Sequence, residues 1–295
     1  MPARQQHITA IEEDHAAGLL KEGKLEEALR VATTGLAAAR QAAEEDASRL
    51  PVLIKALESL GDVHREMNET DRAEKRYREA VDLLTKVELS PAKRGEVRAR
   101  LATLLDFSQR EAAAVPYYEQ AIDDYEAMDP PDEDVTAQLR NNLAMIYKGL
   151  GKYALSEQHY LRGLEILEQR HGHESEFTAT LFNNLGSLYY AAGFPEQGRE
   201  MLEEALEIRT RLLGPDHPDV AQTHSNLAST CHDLGNNDSA LEHYELGLSI
   251  LESHIEDEAA SYEAVGLDYI ALLESLGDEK RASAFRKRMQ RMLAK

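Results

Sequence analysis

Apolar residues recur along this chain at helical spacing, and the helices they mark come in pairs. The pattern is cleanest in the middle. Leu143-Ala144 with Tyr147, Leu185-Gly186 with Tyr189, and Leu227-Ala228 with Cys231 lie 42 residues apart. Twelve residues after each small residue stands a second small one: Ser156, Gly198 and Ala240. Tyr160, Leu202 and Tyr244 follow, and after them Gly163, Ala205 and Gly247. Apolar positions three and four apart, as in Tyr160, Leu164 and Leu167, mark one face of a helix. Glycine closes a helix by adopting the left-handed conformation. Glu22-Gly23, Leu150-Gly151, Ala192-Gly193, Leu234-Gly235 and Leu276-Gly277 therefore end the first helix of a pair. The small residues predict a close crossing between the two helices, where a larger side chain would hold the backbones apart.

The register extends in both directions. Ala16, Gly61, Ala102, Ala144, Gly186, Ala228 and Ile270 are equivalent points, giving seven units near 7–45, 49–88, 91–128, 132–170, 174–213, 217–254 and 257–295. Ile270 and Ala282 keep the spacing of the last unit, but Arg286 and Met289 replace its aromatic and small residues, as a terminal cap should. Units of this kind cannot bury their apolar faces alone, so they stack. The expectation is a single solenoid domain over 1–295. Between units lie connectors such as Leu213-Gly214-Pro215-Asp216-His217-Pro218, in which Asp216 and Pro218 signal a helix start.

Leu-Gly-x2-Tyr followed by Ala-x3-Tyr resembles the tetratricopeptide pattern. The 42-residue period, Leu213-Gly214-Pro215-Asp216-His217-Pro218-Asp219-Val220-Ala221, and the Asn-Asn-Leu-Ala and Asn-Asn-Leu-Gly runs from Asn141 and Asn183 resemble the kinesin light chain subtype. An acidic chain made of these repeats is also similar to the bacterial kinesin light chains that accompany bacterial tubulin. The heptad coiled coil by which kinesin light chains bind the heavy chain is not found. The resemblance implies an all-α fold, a right-handed tetratricopeptide-repeat superhelix of about seven helix pairs. It implies a protein-binding groove lined by the first helices, and a filament of tubulin type as partner.

Composition narrows the function. The chain has 295 residues, 42% hydrophobic, 29% charged and 6% aromatic, so its core is built largely from Ala and Leu. No apolar run is long enough to span a membrane. Met1 to Ala10 lack the apolar core of a secretory signal, and a lone Cys231 fits a reducing compartment. Both point to the cytoplasm. A net charge of −21 argues against nucleic acid as a partner.

Two constellations stand out. Asn142, Asn184 and Asn226 recur at one position of the first helix, preceded by Asn141, Asn183 and Ser225. Asn is a poor residue inside a helix because its amide competes with the backbone, so its recurrence needs a reason. The amides either grip the backbone of an extended peptide or hydrogen-bond the neighbouring repeat. Gln138, Asn141, Asn142, Met145, Thr180, Asn183, Asn184, Ser187, Gln222, Ser225, Asn226 and Ser229 form an uncharged lining flanked by Lys148, Tyr190 and His232. Units two and three instead place Lys55, Glu58, Asp62, Glu96 and Arg100 there. The second constellation is the C-terminal helix at 278–295. Lys280, Arg281, Arg286, Lys287, Arg288, Arg291 and Lys295 are basic, none of 280–295 is acidic, and Phe285, Met289, Met292 and Leu293 form an apolar stripe. Such a helix either caps the solenoid or offers Arg286, Lys287, Arg288 and Arg291 to an anionic membrane or an acidic protein.

Catalytic and metal-site signals are absent. His171, His173, His217 and His224 lack ligand spacing, and Cys231 takes a packing position. No cofactor is expected. The reading is a non-enzymatic adaptor or scaffold for a protein or peptide, linking a tubulin-type filament to a membrane or another partner. The alternatives are a self-assembling repeat protein and the regulatory subunit of an enzyme.

Overall fold

The computed structural model describes residues 15–294. The beginning of the first unit, 7–14, and the last basic residue, Lys295, lie outside the described residues. Helices follow one another throughout: α1 over 15–21, α2 (Leu25–Glu45), α3 (Leu50–Glu66), α4 (Thr70–Leu83), α5 (Pro91–Phe107), α6 (Glu111–Glu126) and α7 (Glu133–Gly149). They continue as α8 (Tyr153–His171), α9 (Glu176–Ala191), α10 (Pro195–Leu213), α11 (Pro218–Asp233), α12 (Asn237–Ser253), α13 (Ile255–Ser275) and α14 (Glu279–Leu293). Among the described residues there is no strand. The chain forms two compact units, one up to Ile146 and one from Tyr147 on. In the first, α3 packs against α4 and α5 against α6; in the second, α9 packs against α10, α11 against α12 and α13 against α14.

A recurring turn sets the pairing. Seven residues after each equivalent point the backbone turns left-handed: φ is 72° at Gly23, 58° at Asn68, 58° at Gln109, 70° at Gly151, 84° at Gly193, and 77° at both Gly235 and Gly277. One residue later an amide returns to the carbonyl five positions back. The bonds run from Lys24 to Leu19, Glu69 to His64, Arg110 to Leu105, Lys152 to Tyr147, Phe194 to Tyr189, Asn236 to Cys231 and Asp278 to Leu273, all at 2.8 or 2.9 Å. This closure satisfies carbonyls that a helix end otherwise leaves open. Units two and three achieve it with Asn68 and Gln109, which no glycine signal marks. The connector before α11 departs from expectation in one detail. The helix starts at Pro218, but His217 is its cap, accepting the Asp219 amide on Nδ1 at 3.2 Å.

The small-residue crossing is as tight as the spacing predicts. The seven equivalent points are all buried, and so are Ala28, Ala73, Ala114, Ser156, Gly198, Ala240 and Ala282 on the second helices. A Cβ on Gly186 would lie 2.5 Å from Leu202 Cγ and 2.9 Å from the Gly198 carbonyl oxygen. In the last pair the sizes are exchanged. Met289 occupies the usual small position of α14, and Gly266 on α13 makes room, since a Cβ there would meet Met289 Sδ at 2.6 Å. His224 is the residue equivalent to Gly266 in the preceding pair, where it faces Gly247.

The central tyrosines carry a second periodic contact. Tyr77 donates to Asp62 Oδ1 at 2.6 Å and Tyr118 to Thr103 Oγ1 at 3.3 Å, and Tyr244 shares a 2.9 Å bond with Ser229 Oγ. Each partner directly follows an equivalent point. Met145 holds that position in unit four, and the buried Tyr160 hydroxyl has no partner among the described residues. Tyr244→Phe should therefore lower stability by about 1 kcal/mol, while Tyr160→Phe should be neutral or stabilising, because a buried unbonded hydroxyl is itself unfavourable. Urea melts that rank the two variants the other way would show that the Tyr160 hydroxyl is bonded after all.

Candidate functional site

From Tyr147 on, the first helices α9, α11 and α13, with the end of α7, present one polar face. Lys148 is half-buried, and its Nζ donates to Ser187 Oγ at 2.9 Å, joining α7 to α9. Burial alone lowers its pKa. Asn183 is 3% exposed, so it lies in the seam between helices rather than on the open face. Its Oδ1 accepts Asn226 Nδ2 at 3.0 Å, tying α9 to α11, and its own Nδ2 donates to Asn184 Oδ1 at 3.5 Å. Asn184 and Asn226 are half-buried. Gln222 is exposed, and its Oε1 accepts Arg209 Nη1 at 3.2 Å. Tyr190 is half-buried, and its hydroxyl pKa is raised by burial, then by the neighbouring carboxylate of Asp233, to which it is hydrogen-bonded. Next along the 42-residue ladder of Asn142, Asn184 and Asn226 stands Asp268, exposed and with its pKa raised by burial. The amide periodicity does not reveal it, because an acid stands where the amide recurs.

In the unit ending at Ile146, Gln138 is exposed and Asn141 Nδ2 donates to Asn142 Oδ1 at 3.3 Å. Asn142 also hydrogen-bonds the Tyr118 hydroxyl. The charged lining of units two and three closes on itself. Glu58, 2% exposed on α3, faces Lys93 Nζ at 2.7 Å and Arg100 Nε at 3.3 Å, both from α5. Arg100 reaches Asp62 at 2.6 Å and Glu96 at 2.9 Å. Desolvation outweighs both cations and pushes the Glu58 carboxyl up to about 7.

The C-terminal helix is docked. Met289 is buried, and Phe285, Met292 and Leu293 pack on the cluster that includes Tyr262, Tyr269 and Ile270. Arg286 pairs with Glu274 at 2.7 Å, Arg288 with Glu252, and Arg281 with Glu245. Lys287 and Arg291 are exposed one turn apart. The stripe thus serves as a cap, and half of the four proposed contact cations are ion-paired to the body of the repeat.

Of the remaining chemistry-bearing groups, Cys231, His224 and His243 sit in the packing, whereas His173 is exposed. Cys231 is 4% exposed, and burial pushes its thiol pKa up. His224 and His243 meet Nδ1 to Nδ1 at 2.9 Å, and burial brings His224 down to about 4. His173 bridges Glu168 and Glu204 at 2.7 Å each. Among the described residues no three of His, Cys, Asp and Glu are placed to hold a metal ion, and no helix is long and apolar enough to cross a membrane.

Family models for the tetratricopeptide repeat match residues 56–89, 135–193 and 177–253, together more than half of the chain. The chain belongs to the tetratricopeptide repeat family. Among solved structures it is similar to BtubC (BKLC) from P. vanneervenii, with 29% identity, a TM-score of 0.64, and coverage of 78% of this chain and 92% of that one. A kinesin light chain-like protein of Podosopora anserina with nearly identical TPR-like repeats shares 17% identity over 69% of this chain and 97% of its own, at a TM-score of 0.59. RapI in its apo form shares 13% identity over 96% and 97% of the two chains, at 0.68. The last two likenesses concern the fold alone. No curated protein sequence matches the chain.

Proposed function

We propose that this chain is a non-enzymatic adaptor that binds an extended protein segment along its first helices, and that the partner is a filament of tubulin type. One observation carries the binding surface. Across α9 and α11 the half-buried residues Asn184, Ser187, Asn226 and Ser229 are uncharged in a chain that is 29% charged. Amides and hydroxyls offer both donors and acceptors to a main chain. The charged lining of units two and three neutralises itself, so it has little left for a partner. The similarity to BtubC over most of both chains supports the filament as partner.

Co-sedimentation of the full chain with polymerised bacterial tubulin tests this reading. Wild type should pellet with the filaments. Asn142→Ala, Asn184→Ala and Asn226→Ala together should weaken pelleting about tenfold or more, since several hydrogen bonds at roughly 1 kcal/mol each are lost. The same variant should lose about 1–3 kcal/mol of stability, because the Asn226–Asn183, Asn183–Asn184 and Asn142–Tyr118 bonds go with it. Wild type that stays in the supernatant removes the filament from the reading. Intact pelleting by the triple variant moves the contact off the amide row. A further contact with anionic lipid would use Lys287 and Arg291, the exposed cations of α14. Vesicles that bind Lys287→Gln/Arg291→Gln as well as wild type exclude it.

A further inference from the structure

The face from Lys148 to Asp268 carries unlike charge at its two ends. We infer that it accepts an extended segment in one direction only, an acidic group of the partner meeting Lys148 and a cationic group meeting Asp233 and Asp268. This inference rests on the peptide-binding reading above and adds the partner's charge pattern.

The argument begins with how this chain treats its charges. Where opposite charges come within reach they pair: Glu58 with Lys93 and Arg100, Glu252 with Arg288, Glu274 with Arg286. Lys148 is different. Acids outnumber bases in this chain by 54 to 33, yet its only partner among the described residues is the neutral Ser187 hydroxyl. Burial lowers its pKa and no carboxylate offsets the shift. A half-desolvated cation without a counter-charge is an unfavourable element that an arriving anion relieves.

At the other end the sign reverses. Asp233 and Asp268 have no ion-pair partner among the described residues. They come from different helices, α11 and α13, yet both act on the hydroxyls of Tyr190 and Tyr244 and raise their pKa. Two carboxylates and two phenols therefore share one neighbourhood, with acceptors for an ammonium or guanidinium group. Between the ends lie Ser187, Asn184, Asn226 and Ser229, all neutral. That row separates Lys148 from the carboxylates, so the two ends stay unneutralised. It also supplies hydrogen bonds for the stretch of partner that joins them. A segment entering in reverse would set like charge against like at both ends, which electrostatic complementarity penalises.

A phage-displayed library of random peptides, panned on the full chain, tests the assignment. The selected peptides should carry Asp or Glu and Lys or Arg in one order and at one separation. Panning on Lys148→Met should lose the acidic preference and keep the basic one, and panning on Asp233→Asn/Asp268→Asn should do the opposite. A synthetic copy of a selected peptide should bind each variant about tenfold more weakly. Its version with the two charges exchanged should bind wild type more weakly still, and the difference should shrink at high salt. Selected peptides with no fixed charge order, or preferences that survive both sets of substitutions, overturn the polarity. A library in which nothing is enriched overturns the peptide-binding reading itself.

Discussion

Gly186→Ala is expected to destabilise the unit from Tyr147 on by about 1–3 kcal/mol, whereas Gly18→Ala should stabilise its own unit by about 0.5–1 kcal/mol. The two substitutions are chemically identical and both fall within helices. Alanine is favoured over glycine in a helix interior by up to about 1 kcal/mol, because the glycine backbone has more freedom to lose. At Gly18 nothing among the described residues lies within 4 Å of the added carbon, so that gain is realised. At Gly186 the carbon would sit 2.9 Å from the Gly198 carbonyl oxygen, which belongs to the backbone of α10 and cannot swing aside. The helices must separate, and every contact along the crossing loosens. Urea denaturation of both variants measures the difference. Equal signs would show that α9 and α10 can part without loss.

Glu58→Gln should raise stability by about 3 kcal/mol at pH 8 and leave it nearly unchanged at pH 4.5. Glu58 titrates at about 7 in the folded chain against 4.5 for the free side chain. Between those values the folded state holds more protons than the unfolded one, so stability falls as pH rises. The loss is complete above about pH 7. Glutamine mimics the protonated carboxyl and removes this slope. Wild type alone is a poor readout, because His224, held near 4 by burial, drives the opposite trend. Its unfolded form takes up protons below about pH 6.5, so acid destabilises the fold there. The variant-minus-wild-type difference isolates Glu58. A loss of stability at pH 8 would mean that the attraction to Lys93 and Arg100 exceeds the desolvation penalty.

Periodicity made the fold legible. A residue that must be small or buried in every unit leaves a mark at a fixed interval, and all seven equivalent points are buried. The turns at Asn68 and Gln109 were not legible, because the register requires a left-handed residue there while the usual glycine is missing. The amide ladder was legible as a position but not as a role. Periodic spacing places Asn183 and Asn226 on neighbouring helices, but a one-residue offset decides that one is buried and accepts from the other. Charge had the same limit. Glu58, Asp62, Glu96 and Arg100 were visible as a mixed lining. Spacing does not show that Arg100 reaches all three carboxylates, or that Lys93, outside the repeated positions, also pairs with Glu58.

The exchange of Gly266 and Met289 bears on how such arrays are rearranged by recombination. Joining α11 to α14 would drive Met289 against His224, and joining α13 to α12 would leave Gly266 facing Gly247 across an empty space. A whole helix pair carries both members of its own fit and can be transplanted, whereas a single helix cannot. For this chain the heritable module is the hairpin, and crossovers that respect it fall in the connectors rather than in the tight turns.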